Sequence, residues 1–182
     1  MTISKELQRF YKENKLPENG GENEDWFYLH FKFFSLKLPN SDFRKKIVYI
    51  HDIQHILYNC DVTWKGESFI AGWEIATGMW KRFPIGIMSL WAMGFSFLLF
   101  PKEVYRGYKA GLQCKGVIDL KIEKDILLSL SLSELRSKIK KNKPTKMNTF
   151  QWVIYSFWII ISEIFFLSPF ILLLFLLVTY LF

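Results

Sequence analysis

The chain has 182 residues, a net charge of +7 and 51% apolar residues. This composition excludes an intrinsically disordered chain and favours a domain with a hydrophobic core that associates with a membrane. No lysine–arginine run alternates with aromatic residues as in a nucleic-acid-binding stripe, so the basic excess indicates anionic lipid and no nucleic acid partner. Cys60 and Cys114 form neither a CxxC motif nor a disulfide framework, which favours a reduced intracellular compartment.

Residues 1–40 form a polar and aromatic N-terminal segment. Its first stretch, MTISKELQRFYKENK, mixes lysine with glutamate, and it resembles neither a secretory signal nor a transit peptide. A loop is predicted at LPENGGENED, residues 16–25. The following WFYLHFKFFSLKL, residues 26–38, is either a strand or a short helix, because its periodicity fits both.

Residues 41–140 are predicted to form a helical bundle. Helices are expected at residues 43–58, 67–82, 84–100 and 131–141, with a basic segment at 102–110. The first helix has an apolar stripe of period near 3.6, formed by Phe43, Ile47, Ile50 and Leu57. Ser41 or Asp42 is expected to cap it, and Pro84 suits the first turn of the third helix.

A basic linker, residues 141–149, is expected to separate this domain from an apolar tail, and Pro144 should stop the preceding helix. Residues 150–182 contain one charge, Glu163, near their middle, and exceed the roughly 20 residues that cross a bilayer. We predict one tilted transmembrane helix, kinked at Ser168–Pro169. The basic residues before it should keep the domain on the cytoplasmic face of the inner membrane, or the matrix face in a mitochondrion. Pairing of Glu163 within the membrane would favour a homo-oligomer.

The third helix, residues 84–100, is apolar and nearly long enough to span a membrane. Because both of its flanks are basic, the positive-inside rule gives it no orientation. We predict a buried or partly inserted helix that forms the wall of a lipid cleft. Glycines and alanines in this helix and the preceding one permit either close helix packing or space for a lipid chain, and the sequence does not distinguish the two.

Four polar residues of the bundle are candidate metal ligands. On a helix, His51 and His55 lie on one face, and Asp52 can lean towards the same point. Two imidazoles and a carboxylate suit zinc or ferrous iron. Glu67, expected to open the next helix, is the candidate fourth ligand. The alternative is a surface helix with two unrelated histidines.

The motif His51-Asp52-x-x-His55, then eleven residues, then Glu67, resembles the signature of the ubiquinone (coenzyme Q) biosynthesis protein 4 family. Downstream, YRGYKAG (residues 105–111) is similar to that family's basic R-G-x-x-A segment. DLKIEKDILLSLSLSELRSKI (residues 119–139) is similar to its closing stretch. The sequence departs from the family at Asn59, where glycine is usual. Asparagine also tolerates positive φ, so the turn should be kept.

The resemblance implies an all-α domain, residues 41–140, that binds a divalent metal and lipid. It implies that His51, Asp52, His55 and Glu67 are both the ligands and the catalytic residues. Zinc is the favoured metal. Iron is the alternative, because a redox-capable metal fits oxidative chemistry better than zinc does. The implied partners are membrane lipid, a polyprenyl quinone precursor and other quinone-biosynthesis proteins. The implied roles are replacement of a ring carboxyl by hydroxyl, or organisation of the biosynthetic enzymes.

Two other functions fit the same residues. A metal-dependent phosphohydrolase of the HD type also uses an adjacent His-Asp pair, and His30 could be its upstream histidine. A membrane-anchored scaffold would need no chemistry from the metal site.

Four further residues have both a functional and a plain interpretation. Glu74 is either a partner of a ligand histidine or a solvated or capped side chain. Cys60 could coordinate a soft metal, but it is expected to be a small apolar filler. Arg106 and Lys109 contact either lipid phosphates or only solvent.

Overall fold

The structure is a computed structural model that describes residues 1–31, 33–141 and 146–181. It confirms the predicted all-α fold with a long apolar C-terminal helix, and adds one small antiparallel sheet. The strands are β1 (Trp26–His30) and β2 (Ser35–Pro39). The α-helices of the described residues are α1 (Ile3–Glu13), α2 (Asp42–Tyr58), α3 (Trp64–Thr77), α4 (Ile85–Leu99), α5 (Pro101–Gly111), α6 (Lys124–Ser129), α7 (Leu132–Ile139) and α8 (Thr149–Leu181).

The chain divides into two compact units, of which the first comprises residues 1–61 and 117–139. Helix α1 belongs to this unit, and the sequence analysis did not predict it. Its buried Ile3, Leu7 and Phe10 recur at helical spacing, so one apolar face packs inward, with α2 as one neighbour. The second part of the unit, residues 117–139, is joined to α1, because the backbone N–H of Ile3 donates a hydrogen bond to the Leu130 carbonyl at 2.7 Å.

Strands β1 and β2 pair as a hairpin, so the strand alternative for this segment is the one that the structure adopts. The two strands pair antiparallel with Tyr28 opposite Lys37. The base of the hairpin is held by the buried Asn40, whose amide donates to the Gly21 carbonyl at 2.9 Å and to the Glu24 carbonyl at 2.8 Å. This anchoring leaves the hairpin tip, around Phe33, at the surface.

Helix α2 begins and ends as the sequence predicts. Ser41 is its N-cap, and the hydroxyl accepts a hydrogen bond from the Arg44 amide at 3.2 Å. Asn59 ends the helix at φ 52° and ψ 44°, so the expected left-handed turn is confirmed. The backbone N–H of Asn59 donates a hydrogen bond to the carbonyl of His55, so the helix ends shortly after the second histidine.

The left-handed turn at Asn59 makes a simple stability prediction. Asn59→Val should lower the free energy of unfolding by about 1–2 kcal/mol, because a β-branched side chain is strained at positive φ. Asn59→Gly should leave that free energy nearly unchanged, since glycine adopts this conformation without strain. Thermal unfolding of the two purified variants measures both effects. Equal destabilisation by valine and glycine would show that the asparagine side chain itself matters, and not the backbone.

The second unit comprises residues 62–116 and 140–182. Its helices α3 and α5 cross closely because glycines face the partner backbone. A Cβ on Gly72 would collide with the Val104 carbonyl oxygen, and one on Gly107 with the Phe69 carbonyl oxygen. At Gly72 the small residue therefore serves close helix packing, which is one of the two interpretations that the sequence allows for the glycines of this helix.

Helix α3 starts three residues earlier than expected and ends five residues earlier. Thr63 takes the N-cap position, so Glu67 lies in the first turn but does not open the helix. Gly78 ends the helix at φ 93°, and residues 79–81 form a separate 3-10 turn. The predicted continuation to Arg82 is wrong because the left-handed glycine terminates the hydrogen-bond ladder.

Helix α4 packs against α8 at its own glycine. A Cβ on Gly94 would meet the Ser162 carbonyl oxygen, and Phe166 lies against the rings of Trp91 and Phe95 at 5.4 and 5.7 Å. Pro84 precedes the helix, and does not lie within its first turn. The helix is apolar, but with fifteen residues it is shorter than a spanning helix.

Helix α8 is one continuous helix through Pro169, long and apolar enough to cross a membrane. Asn148 and Gln151 begin it with reciprocal side-chain bonds to each other's backbone amides, at 2.9 and 3.0 Å. Its first half contributes Trp152, Tyr155 and Trp158 to an aromatic cluster, which is completed by Trp80 of the 3-10 turn and by Tyr105 and Tyr108 of α5. Of the predicted basic linker 141–149, residues 142–145, including Pro144, lie outside the described residues.

Candidate metal centre

Helix α2 presents two of the predicted ligands side by side. The Nε2 atoms of His51 and His55 lie 3.2 Å apart, and the ring planes are inclined by 66°. His55 is buried beneath Phe10 of α1, with ring centroids 5.6 Å apart, whereas His51 is half-buried. The pair therefore has a fixed inner member and an outer member with access to solvent.

The spacing of the imidazoles suits a shared metal ion. Two nitrogens bound to zinc at 2.0–2.1 Å in tetrahedral geometry would be about 3.3 Å apart. Glu67 completes the group: one ligand atom each from His51, His55 and Glu67 lie within 4.8 Å of one another. These three residues could hold a metal ion. Two histidines and one carboxylate are a donor set found with both zinc and ferrous iron.

Asp52, the fourth predicted ligand, lies outside this three-residue group and is buried on the side of α1. The hydroxyl of Tyr11 donates a hydrogen bond to its Oδ2 at 3.0 Å. Burial, and next the charge of Asp52, raise the pKa of Tyr11, so the phenol stays protonated and remains a donor. Gly20, at φ 64°, lies against the same carboxylate, and any Cβ there would collide with Oδ2.

The Tyr11 hydroxyl therefore fixes Asp52, and its removal should be measurable. Tyr11→Phe is expected to lower the free energy of unfolding by about 1.5–3 kcal/mol, the usual size of a hydrogen bond to a charged group. Because Asp52 lies outside the grouped ligand atoms, Zn²⁺ affinity should fall far less than on removal of a grouped ligand. Titration with Zn²⁺ and thermal unfolding measure the two effects. Tyr49→Phe, a hydroxyl removed elsewhere on α2, is the matched control and should change neither.

Sequence reasoning missed Tyr11 and Gly20 as parts of this site. A signal for α1 was present in the spacing of Leu7, Phe10 and Tyr11, which marks an amphipathic helix. No short-range pattern links Tyr11 to Asp52, since 41 residues separate them. Their contact follows only from the packing of α1 on α2.

The remaining predicted residues lie elsewhere. His30 is exposed on β1, where its Nδ1 lies 2.8 Å from the Ser35 hydroxyl, and it is not among the ligand atoms grouped above. Glu74 is buried in the second unit and accepts a hydrogen bond from the Ser89 hydroxyl at 2.7 Å. Cys60 lies with its sulfur 3.9 Å from the Tyr58 carbonyl oxygen.

The two cations of the R-G-x-x-A segment differ in exposure. Arg106 is exposed and pairs with Glu103 at 2.8 Å, one turn before it on α5. Lys109 is half-buried. An exposed pair of this kind contributes little to stability. Breaking it therefore costs little, and the exposed Arg106 side chain can contact other groups.

Comparison with known proteins gives no assignment: no family model, no curated protein and no solved structure matches the chain.

Proposed function

We propose that this chain is a membrane-anchored metal protein of the ubiquinone biosynthesis protein 4 type, which binds a polyprenylated aromatic quinone precursor. The proposal is carried by the short distances among the ligand atoms of His51, His55 and Glu67. These residues are the two histidines and the distant glutamate of the motif. Asp52 supplies the remaining motif position, held by Tyr11. A chance histidine pair on a surface helix would not explain a buried His55 or a carboxylate brought to it.

The proposed substrate is a ring carboxylate with a long apolar chain. A zinc or ferrous ion would accept a carboxylate oxygen as a Lewis acid, and iron would add redox chemistry. In the reaction, the bond between ring and carboxyl carbon breaks and carbon dioxide leaves. One atom of dioxygen becomes the new ring hydroxyl, and the other leaves as water with two protons and two electrons from an external donor. His51, His55 and Glu67 are the proposed catalytic residues, because they would hold the metal ion that orients the carboxylate, and Asp52 lies outside this group.

The apolar helices account for the membrane part of the proposal. Helix α8 supplies the anchor, and we place the metal-bearing part on the cytoplasmic face of an inner membrane, or the matrix face in a mitochondrion. Other quinone-biosynthesis proteins and a second copy of the chain are the proposed partners.

This orientation predicts that a topology reporter fused after residue 182 lies outside the cytoplasm. A reporter fused before residue 1 should lie inside the cytoplasm. Activity of the C-terminal fusion in the cytoplasm would contradict the orientation.

Mass spectrometry of lipids that co-purify with the full chain tests the function. We expect a polyprenylated hydroxybenzoate-type lipid at near one per chain, and its loss in the variant Glu67→Gln, which keeps the shape of the side chain and lowers metal binding. Phospholipid alone in both proteins would overturn the proposed substrate. Bound precursor that is not converted in the presence of metal, dioxygen and reductant would favour the scaffold function.

A further inference from the structure

The hairpin of the first unit carries apolar surface that the metal site does not use. Phe33 and Phe34 at its tip are 87% and 61% exposed. On one face, Trp26, Tyr28 and Lys37 are all exposed, and the strand register places Tyr28 opposite Lys37. An isolated two-stranded hairpin is marginally stable in water, so this exposed surface needs a reason.

The chemistry of the hairpin matches the boundary between lipid headgroups and acyl chains. Tryptophan and tyrosine prefer that boundary, and phenylalanine inserts just below it. The Lys37 ammonium lies 4.6 Å from the centre of the Trp26 ring, so cation and aromatic ring occupy one face. Residues 26–40 contain two lysines and no acidic residue, which complements an anionic surface.

The presence of an apolar helix on the same chain further indicates which kind of surface the hairpin contacts. Helix α8 is long and apolar enough to cross a bilayer, and as the anchor in the proposed function it keeps a lipid surface within reach of the tethered domain. Tethering makes a second, individually weak lipid contact effective, because its local concentration is high. Weak contacts of this kind combine a few inserted rings with basic residues.

We propose that the hairpin, residues 26–39, is a second membrane contact, in which Phe33 and Phe34 insert into an anionic bilayer while Trp26, Tyr28 and Lys37 lie at headgroup level. The contact is independent of the metal site, and it holds the first unit against the surface from which an apolar substrate would be taken.

The test uses the full chain in single-copy nanodiscs that contain anionic lipid. In a Cys60→Ser/Cys114→Ser background, a fluorescent dye is attached at Phe33→Cys or, as control, at Gln8→Cys on the exposed side of α1. We expect nitroxide-labelled lipid to quench the dye at position 33 and aqueous iodide to quench the dye at position 8. Equal access of iodide to both positions would overturn the proposal. Shielding of position 33 from iodide without quenching by lipid would also overturn it, because protein would then cover the tip.

A charge reversal tests the headgroup contact without altering the tip. Lys37→Glu should lower the ratio of lipid to iodide quenching at position 33 by at least about 5-fold, the effect of roughly 1 kcal/mol per basic residue near an anionic surface. Lys5→Glu, the same charge change at an exposed site on α1, should leave the ratio unchanged. An equal response of the two variants would exclude Lys37 from the lipid contact.

Discussion

Purified His51→Ala/His55→Ala protein is expected to hold no stoichiometric divalent metal, whereas the unaltered chain is expected to hold about one ion. The reason is that the two Nε2 atoms, 3.2 Å apart, supply two of the three grouped ligand atoms. Loss of a group that merely holds a ligand in place costs about 10–100-fold in affinity. Removal of both imidazoles should therefore weaken binding by more than about 100-fold. Elemental analysis of protein purified without a polyhistidine tag gives the ratio directly.

The third histidine of the chain is the control for this experiment. His30→Ala removes an exposed imidazole from the hairpin and should leave the metal content unchanged. Metal that persists at one ion per chain in the double variant would show that His51 and His55 are not ligands. Loss of metal in His30→Ala would instead favour a site that includes the upstream histidine, as in HD-type phosphohydrolases.

The variant Gly107→Val is expected to unfold at a markedly lower temperature than the unaltered protein. Its Cβ would collide with the backbone oxygen of Phe69, so α5 must move away from α3. Overpacking of this kind costs about 1–3 kcal/mol, which corresponds to a drop of roughly 2–12 °C in the unfolding midpoint for a chain of this size. A thermal scan in detergent measures the midpoint.

Two matched variants separate packing from surface effects in the same helix. Lys102→Val places the same β-branched side chain at an exposed position of α5 and should leave the midpoint nearly unchanged. Arg106→Ala should do the same, since its pair with Glu103 is exposed. If Gly107→Val were no worse than Lys102→Val, the close approach of α3 and α5 would not limit stability.

The parts of the structure that follow from local pattern were predictable. The spacing of His51 and His55 set both on one face of a helix, and Asn59 took the left-handed turn expected of a glycine substitute. The hydrophobic length of α8 likewise follows from composition. The early start of α3 was missed because Thr63 was not recognised as its cap.

The parts that depend on distant contacts were not predictable from short windows. The separation of residues 1–40 as a segment of their own concealed α1, whose Phe10 covers His55 and whose Tyr11 binds Asp52. Likewise, a glycine such as Gly72 could serve helix packing or a lipid chain until its neighbour, the Val104 carbonyl, was known.

If α8 is placed across a bilayer as proposed, three aromatic side chains in its first half set its depth. Tryptophan and tyrosine concentrate at the membrane boundary, so Trp152, Tyr155 and Trp158 would lie where hydrocarbon begins. Residues 160–181 of the helix then extend about 33 Å at 1.5 Å per residue, close to the ~30 Å hydrocarbon thickness. On that placement Glu163 lies within one turn of the boundary and not at mid-depth. Both of its carboxylate oxygens are covered by the chain itself, so shielding them from lipid requires no paired helix from a second copy.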